Sequence, residues 1–334
     1  MMNVGIIGYG YWGPNLVRNF SALNNCKVHI VSDYREERLN AVKKFNANIN
    51  TTTNPDDIIL SNEIEAVVIA TPVFTHYDLA KRALNNGKHV LLEKPMTSTV
   101  KEAEELIALA NAKGLLLMVD HTFLYTGAVK KMKELIDNKS IGNTQYFDSS
   151  RINLGLFQPD VNVLWDLAPH DISMLLFLTD YKPYSVNATG VSHTKNGIEN
   201  IAYLTVNYKE DFIAHFSCSW TSPVKLRTLL IGGDKKMMLF NDLEPSEKIR
   251  VYDTGYNYQS DEEKKSLLVD YRTGDVFIPK VEMKEALLGM ADNFVSSIKN
   301  KTTPVSSAQL GLDVIKILEA AQLSIKQNGK EIIL

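Results

Sequence analysis

Asn3-Val4-Gly5-Ile6-Ile7-Gly8-Tyr9-Gly10-Tyr11-Trp12-Gly13 opens the chain as a short apolar run that breaks into glycines. Val4, Ile6 and Ile7 suit a buried strand, and Gly8, Gly10 and Gly13 take the G-x-G-x-x-G spacing ahead of a helical pattern. Pro14 supports a helix start there, because the first turn has no acceptor for the N–H that proline lacks. In such a turn the first glycine permits the sharp bend, the second lets the backbone approach a pyrophosphate, and the third lets the helix pack on the strand. The loop from Gly8 to Gly13, Tyr11 and Trp12 included, is thus expected to hold a dinucleotide with its phosphates at the helix N-terminus. Lys27 to Ser32 reads as a second strand ending at Asp33, twenty residues after Gly13, where an acid accepts hydrogen bonds from the adenosine ribose. A carboxylate repels a 2′-phosphate, so NAD is favoured over NADP, a preference tempered by the nearby Arg35.

The 334 residues suit two ordinary domains, and a net charge of −3 with 22% charged residues offers no face for a polyanion. Nucleic acid is not an expected partner. Cys26 and Cys218, with no C-x-x-C spacing, suggest neither a disulfide framework nor a cysteine zinc site, and the histidines show no metal-ligand spacing. No metal, no membrane association and a cytoplasmic location are expected, since there is no basic region before the first apolar run and no span long enough for a bilayer.

Strand and helix alternate through the first 120 or so residues, which predicts a parallel sheet covered on both faces. Its strands are expected near Ala47 to Asn50, at Ala66 to Ala70, at Lys88 to Leu92 and at Leu115 to Val119, and Thr99 with Glu102 forms a capping box before one helix. Ligands of such sheets bind beyond the strands' carboxyl ends, so Thr71-Pro72, His76, Glu93-Lys94-Pro95 and Asp120-His121 are expected to line one crevice with the glycine turn. Beyond this the pattern becomes rich in Tyr, Phe, Val, Thr and Ile at strand spacing, with Tyr203 to Tyr208 and Phe212 to Trp220 as a hairpin. The expected organisation is a Rossmann domain over 1–121 and an α+β domain with a mostly antiparallel open sheet over 122–334, with Asp253 to Asp275 as a long loop. Within it, Trp165-Asp166-Leu167-Ala168-Pro169-His170-Asp171 precedes an apolar helix. Asp166 and His170 share a face if that helix reaches back to Asp166; alternatively Pro169 sits in its first turn with Asp166 just before it.

These features together resemble the Gfo/Idh/MocA oxidoreductase family across essentially the whole chain: Gly8 to Gly13, Ala70-Thr71-Pro72 with His76, Glu93-Lys94-Pro95, and Asp166 four residues before His170. The resemblance implies a sugar- or inositol-type substrate, Lys94 and His170 as catalytic residues, Asp166 as a supporting or substrate-binding acid, and Pro95 shaping the nicotinamide pocket beside Thr71, Pro72, His76 and Glu93. It also implies a homodimer or homotetramer. His121 to Tyr125 and Trp165 to Asp171 are similar to the family's nucleotide-sugar 3-dehydrogenases of polysaccharide biosynthesis, whereas many members carry an Arg- or Asn-rich segment after the sixth strand.

The chemistry also follows from the residue types. Oxidising a carbinol needs a base for the hydroxyl proton, which His170 suits, and a cation such as Lys94 to stabilise alkoxide character; the two roles are exchangeable. A sugar or nucleotide-sugar dehydrogenase acting at C3 is the leading expectation, with Arg151 as a candidate diphosphate donor through its bidentate fork. An inositol or free-sugar dehydrogenase, an NAD-dependent glycosidase and a catalytically silent NAD-binding regulator are the alternatives.

Overall fold

The computed structural model describes residues 1–257 and 270–334, which divide into two compact units, Met1–Tyr125 with Lys284–Lys316, and Thr126–Met283 with Ile317–Leu334. The first unit carries β1 (Met2–Ile7), α1 (Gly13–Ser21), β2 (Cys26–Ser32), α2 (Glu36–Phe45), β3 (Asn50–Thr52), α3 (Asp56–Ile59), β4 (Ala66–Ile69), α4 (His76–Asn85), β5 (His89–Glu93), α5 (Val100–Lys113) and β6 (Leu117–Asp120). The strands form a parallel sheet in the order β3-β2-β1-β4-β5-β6. The order reverses between β1 and β4, which opens a crevice at the carboxyl ends of those two strands. Val4, Ile6, Val67, Leu91 and Val119 are buried, as continuous apolar strands between two helical layers must be. Thr99 caps α5 by accepting the Glu102 amide at 3.2 Å, while Glu102 reaches back to the Ser98 amide rather than to that of Thr99.

A linear cut at residue 121 misses the chain's return. Helix α8 (Ala286–Asn300) packs on α1, with Phe294 edge-on to Phe20 at 6.2 Å and Glu285 paired with Arg18. The Tyr125 hydroxyl donates to Asn293, and Ser306 bonds the β6 backbone at Val119. The first part of α9 (Ala308–Lys326) belongs to the same unit, where Gly311 lies close against Val119.

The second unit holds α6 (Gly127–Asp137), β7 (Thr144–Ile152), α7 (Val163–Leu178), β8 (Ser185–Val191), β9 (Ile201–Asn207), β10 (Ile213–Ser219), β11 (Leu226–Gly233), β12 (Met237–Asn241), β13 (Ile249–Asn257), β14 (Asp270–Phe277) and β15 (Ile332–Ile333). Its sheet runs β14-β13-β12-β11-β7-β10-β9-β8-β15 and is antiparallel except where β10 lies parallel to β7. Phe147, Ala214, Phe216, Leu204 and Leu229 fill the face that α7 covers, whereas Tyr203, Ile213 and Leu230 stay about half exposed on the other.

Three expectations need correction. The third strand lies at Asn50–Thr52 rather than over Ala47 to Asn50. The proposed loop from Asp253 to Asp275 is partly β13 and β14, its centre lying outside the described residues. Ile249 and Val251 at the start of β13 are buried, but its polar continuation pairs with β14 at one edge of the sheet, where backbone bonding suffices without an apolar alternation. Finally, Pro169 is not in a first turn: α7 begins at Val163, capped by the Asn162 side chain on the Leu164 and Trp165 amides, and carries Pro169 in its interior.

Candidate functional site

The glycine turn is tied to the strand ends around it. Gly8 has φ +100°, and a Cβ there would stand 2.5 Å from the Ala70 carbonyl oxygen, so only glycine fits between β1 and β4. A Cβ at Gly13 would stand 2.8 Å from the Gly8 carbonyl, whereas one at Gly10 would meet nothing within 4 Å, leaving that backbone open to an approaching group. Helix α1 starts with no side-chain cap and no acid in its first turn, so its N-terminal amides suit a pyrophosphate. Tyr11 and Trp12 stand on this turn with their rings edge-to-face at 5.3 Å, Tyr11 largely exposed.

Asp33 closes the other side. Its Oδ2 accepts the Tyr9 amide at 2.9 Å and its Oδ1 accepts the Arg35 amide at 3.0 Å, with the Arg35 guanidinium on both oxygens at 3.1 and 3.3 Å. Burial pushes this carboxyl up, but the Arg35 side chain and the two amides outweigh burial and hold it below the usual carboxylate range. A ribose hydroxyl reaching Asp33 competes with the Arg35 fork, whose side chain is 32% exposed and lies over the Tyr34 ring.

Across the crevice, His76 is buried with Nε2 2.8 Å from the Thr71 carbonyl and Nδ1 3.0 Å from the Pro95 carbonyl. Burial pushes its pKa down against the pull of those carbonyls, and a neutral ring has one N–H to donate to one of them. His76 therefore joins the Thr71-Pro72 and Lys94-Pro95 loops from below; a role for its ring as a direct cofactor contact does not fit nitrogens already facing backbone. The Thr71 and Thr75 hydroxyls bond each other at 2.6 Å, and the Lys94–Pro95 peptide is cis. Lys94 follows the last residue of β5, and Glu93, before it, accepts the Lys94 amide at 3.1 Å. Glu93 is paired in register with Asp120 at the end of β6, and both are buried. The sequence places both acids along one crevice, at the ends of strands five and six, but does not show that they face each other as a buried pair.

In the second unit, α7 carries Asp166 and His170 one turn apart on a half-buried face. The Trp220 indole N–H donates to Asp166 Oδ2 at 2.9 Å and orients that carboxylate. Arg151 requires a correction. It lies on β7, is 4% exposed, and clamps Asp171 with Nε at 2.8 Å and Nη2 at 2.6 Å, while Ser149 donates to the same carboxylate. Its fork anchors α7 to the sheet and is not presented to a diphosphate. Among the described residues no group of three His, Cys, Asp or Glu is placed to hold a metal, and no helix is long and apolar enough to cross a membrane.

Two family models match the chain in succession: the Gfo/Idh/MocA oxidoreductase family, NAD-binding Rossmann fold, over residues 2–121, and the Gfo/Idh/MocA C-terminal domain over 129–239. The chain belongs to the Gfo/Idh/MocA oxidoreductase family. Its cofactor is NAD, and the open Gly10 backbone, the uncapped start of α1 and Asp33 are the features of its Rossmann fold that fit one. Among family relatives, it is 30% identical over 210 residues to UDP-N-acetylglucosamine 3-dehydrogenase of Acidithiobacillus ferrooxidans, a match covering 62% of this chain and 64% of that one. The structure of that enzyme superposes with a TM-score of 0.80 at 22% identity over 98% of both chains. The chain is 29% identical over 221 residues to scyllo-inositol 2-dehydrogenase (NADP(+)) IolW of Bacillus subtilis, covering 62% of this chain and 60% of that one. GenD2 from gentamicin A biosynthesis, solved in complex with NAD, shares the fold with a TM-score of 0.83 at 18% identity over 100% of this chain and 96% of its own. The matched stretches thus span less than two thirds of the two dehydrogenases' lengths.

Proposed function

We propose that this protein is an NAD-dependent dehydrogenase acting on a secondary hydroxyl of a sugar, with C3 of a nucleotide sugar as the favoured substrate position. The observation that carries the reading is Lys94, set immediately past the carboxyl end of β5 beside the crevice of an NAD-binding Rossmann fold. Bound NAD⁺ supplies the hydride acceptor. Gly8, Gly10, Tyr11, Trp12 and Gly13 hold its pyrophosphate, Asp33 its adenosine ribose, and Thr71, Pro72 and Pro95 border its nicotinamide end. Lys94 and His170 are the pair that act on the substrate hydroxyl, one taking its proton and the other stabilising negative charge on its oxygen. Asp166, held by Trp220, is the acid that binds and orients substrate beside His170.

Similarity to the UDP-N-acetylglucosamine 3-dehydrogenase favours a nucleotide sugar; similarity to the scyllo-inositol dehydrogenase supports an inositol as the second reading. The proposed assembly is a homodimer or homotetramer formed through the half-exposed sheet face, which a monomer in sedimentation would refute. A panel of UDP- and TDP-sugars, free hexoses and inositols, each with NAD⁺ and NADP⁺ and read by nicotinamide absorbance, tests the assignment. Turnover of a nucleotide sugar with at least a tenfold preference for NAD⁺ is expected, because Asp33 sets a carboxylate against a 2′-phosphate. Efficient turnover of a free sugar or inositol alone would remove the nucleotide-sugar reading, and sugar release without net NADH would replace it with a glycosidase.

A further inference from the structure

Glu93 and Asp120 end adjacent parallel strands in direct register, 8% and 2% exposed respectively. The Thr122 hydroxyl donates to Asp120 Oδ1 at 2.5 Å, and the Lys94 amide donates to Glu93 Oε2. Asp120 Oδ2 is buried and has no donor among the described residues, and the two carboxyl groups end paired strands side by side. Two carboxylates are acceptors only, so this contact is a hydrogen bond when one of them carries a proton and an uncompensated repulsion when neither does. A second buried polar side chain adjoins them, His121, whose two ring nitrogens have no partner among the described residues. The titratable groups facing the pair are Lys94 at the end of β5, His121 after β6, and Tyr125 in the turn that follows.

We propose that Glu93 and Asp120 share a single proton and act as positioning residues that set the charge around Lys94, rather than as cofactor ligands. The assignment of Lys94 to proton handling rests on the dehydrogenase reading above; the shared proton does not. With one proton the pair has a net charge of −1 beside the Lys94 ammonium, with two it is neutral, and with none it places two like charges in a dry site. Burial pushes Glu93 well above the usual carboxylate range, with the Asp120 charge adding to it, and burial pushes Asp120 up to about 6. Burial also pushes His121 down to about 3, with Lys94 adding to it, so at neutral pH its ring carries no competing charge.

Infrared spectroscopy of the full-length protein tests the shared proton without any substrate. A carboxylic-acid C=O stretch is expected to persist at neutral pH and to be lost in both Glu93→Gln and Asp120→Asn. Its absence from the unsubstituted protein overturns the proposal whether or not either variant folds. The link to Lys94 is tested by the pH dependence of kcat. Each single amide substitution leaves the other acid ionised and the charge at −1, so the limb governed by Lys94 should stay in place. Glu93→Gln combined with Asp120→Asn removes that charge, disfavours the ammonium and should move the limb toward acid by on the order of one pH unit. That direction holds whether the limb is acidic or alkaline. A double-variant profile that drops in height without moving assigns the two acids a structural role only and overturns the link.

Discussion

Arg151 and Lys94 are both cations near strand ends, and the structure gives them opposite circumstances. Arg151 belongs to the buried row Phe147, Ser149, Arg151, and its guanidinium is matched to Asp171. The period of two along β7 carried this information, because Phe147 and Arg151 four residues apart must share a face. Reading Arg151 by charge alone pointed it toward a ligand. Replacing it with alanine strands the Asp171 carboxylate in the interior and is expected to cost about 3–5 kcal/mol of unfolding free energy. Lys94→Ala and His170→Ala, by contrast, should each abolish most turnover while leaving NAD affinity near that of the unsubstituted protein. Chemical denaturation and cofactor titration on all three variants separate these outcomes; an Arg151→Ala protein of normal stability but raised KM would restore arginine to the substrate site.

Among the elements, those with a strong apolar period were legible and those held by backbone alone were not. The glycine turn, the buried β4 and β5 and the β9–β10 hairpin follow from residue types and spacing. The second half of β13 and most of β14 carry no such signal because Asp253 to Asn257 and Asp270 to Asp275 are mostly polar, and pairing at a sheet edge does not need them to be otherwise. Helix α7 shows a third case. Its proline leaves two starts open, and the Asn162 cap with the burial of Val163, Leu164 and Trp165 selects the earlier one. The earlier start puts Asp166 and His170 one turn apart, and Trp220, on the residue after β10, fixes the acid from a distant point in the sequence. Trp220→Phe keeps an aromatic ring in the core and removes only the indole donor. A hydrogen bond to a charged group contributes about 1.5–3 kcal/mol, so kcat is expected to fall roughly tenfold or more with NAD affinity unchanged. An unaltered kcat would show that the orientation of Asp166 does not matter to the reaction.

At the scale of the molecule, the two-part architecture was visible in the change from alternating strand and helix to consecutive strands. The membership of each part was not. Lys284–Lys316 returns to the first unit because Phe294 finds Phe20, Asn293 finds Tyr125 and Ser306 finds the end of β6, and none of these long-range pairings has a local signature. The proposed reaction is the direct transfer of a hydride from a sugar carbon to NAD⁺. Mass analysis of the reduced cofactor after turnover of UDP-N-acetylglucosamine deuterated at C3 addresses it most directly. NADH heavier by one deuterium with stoichiometric 3-keto product is expected; reduced cofactor without deuterium, or no reduced cofactor at all, would contradict direct transfer from C3.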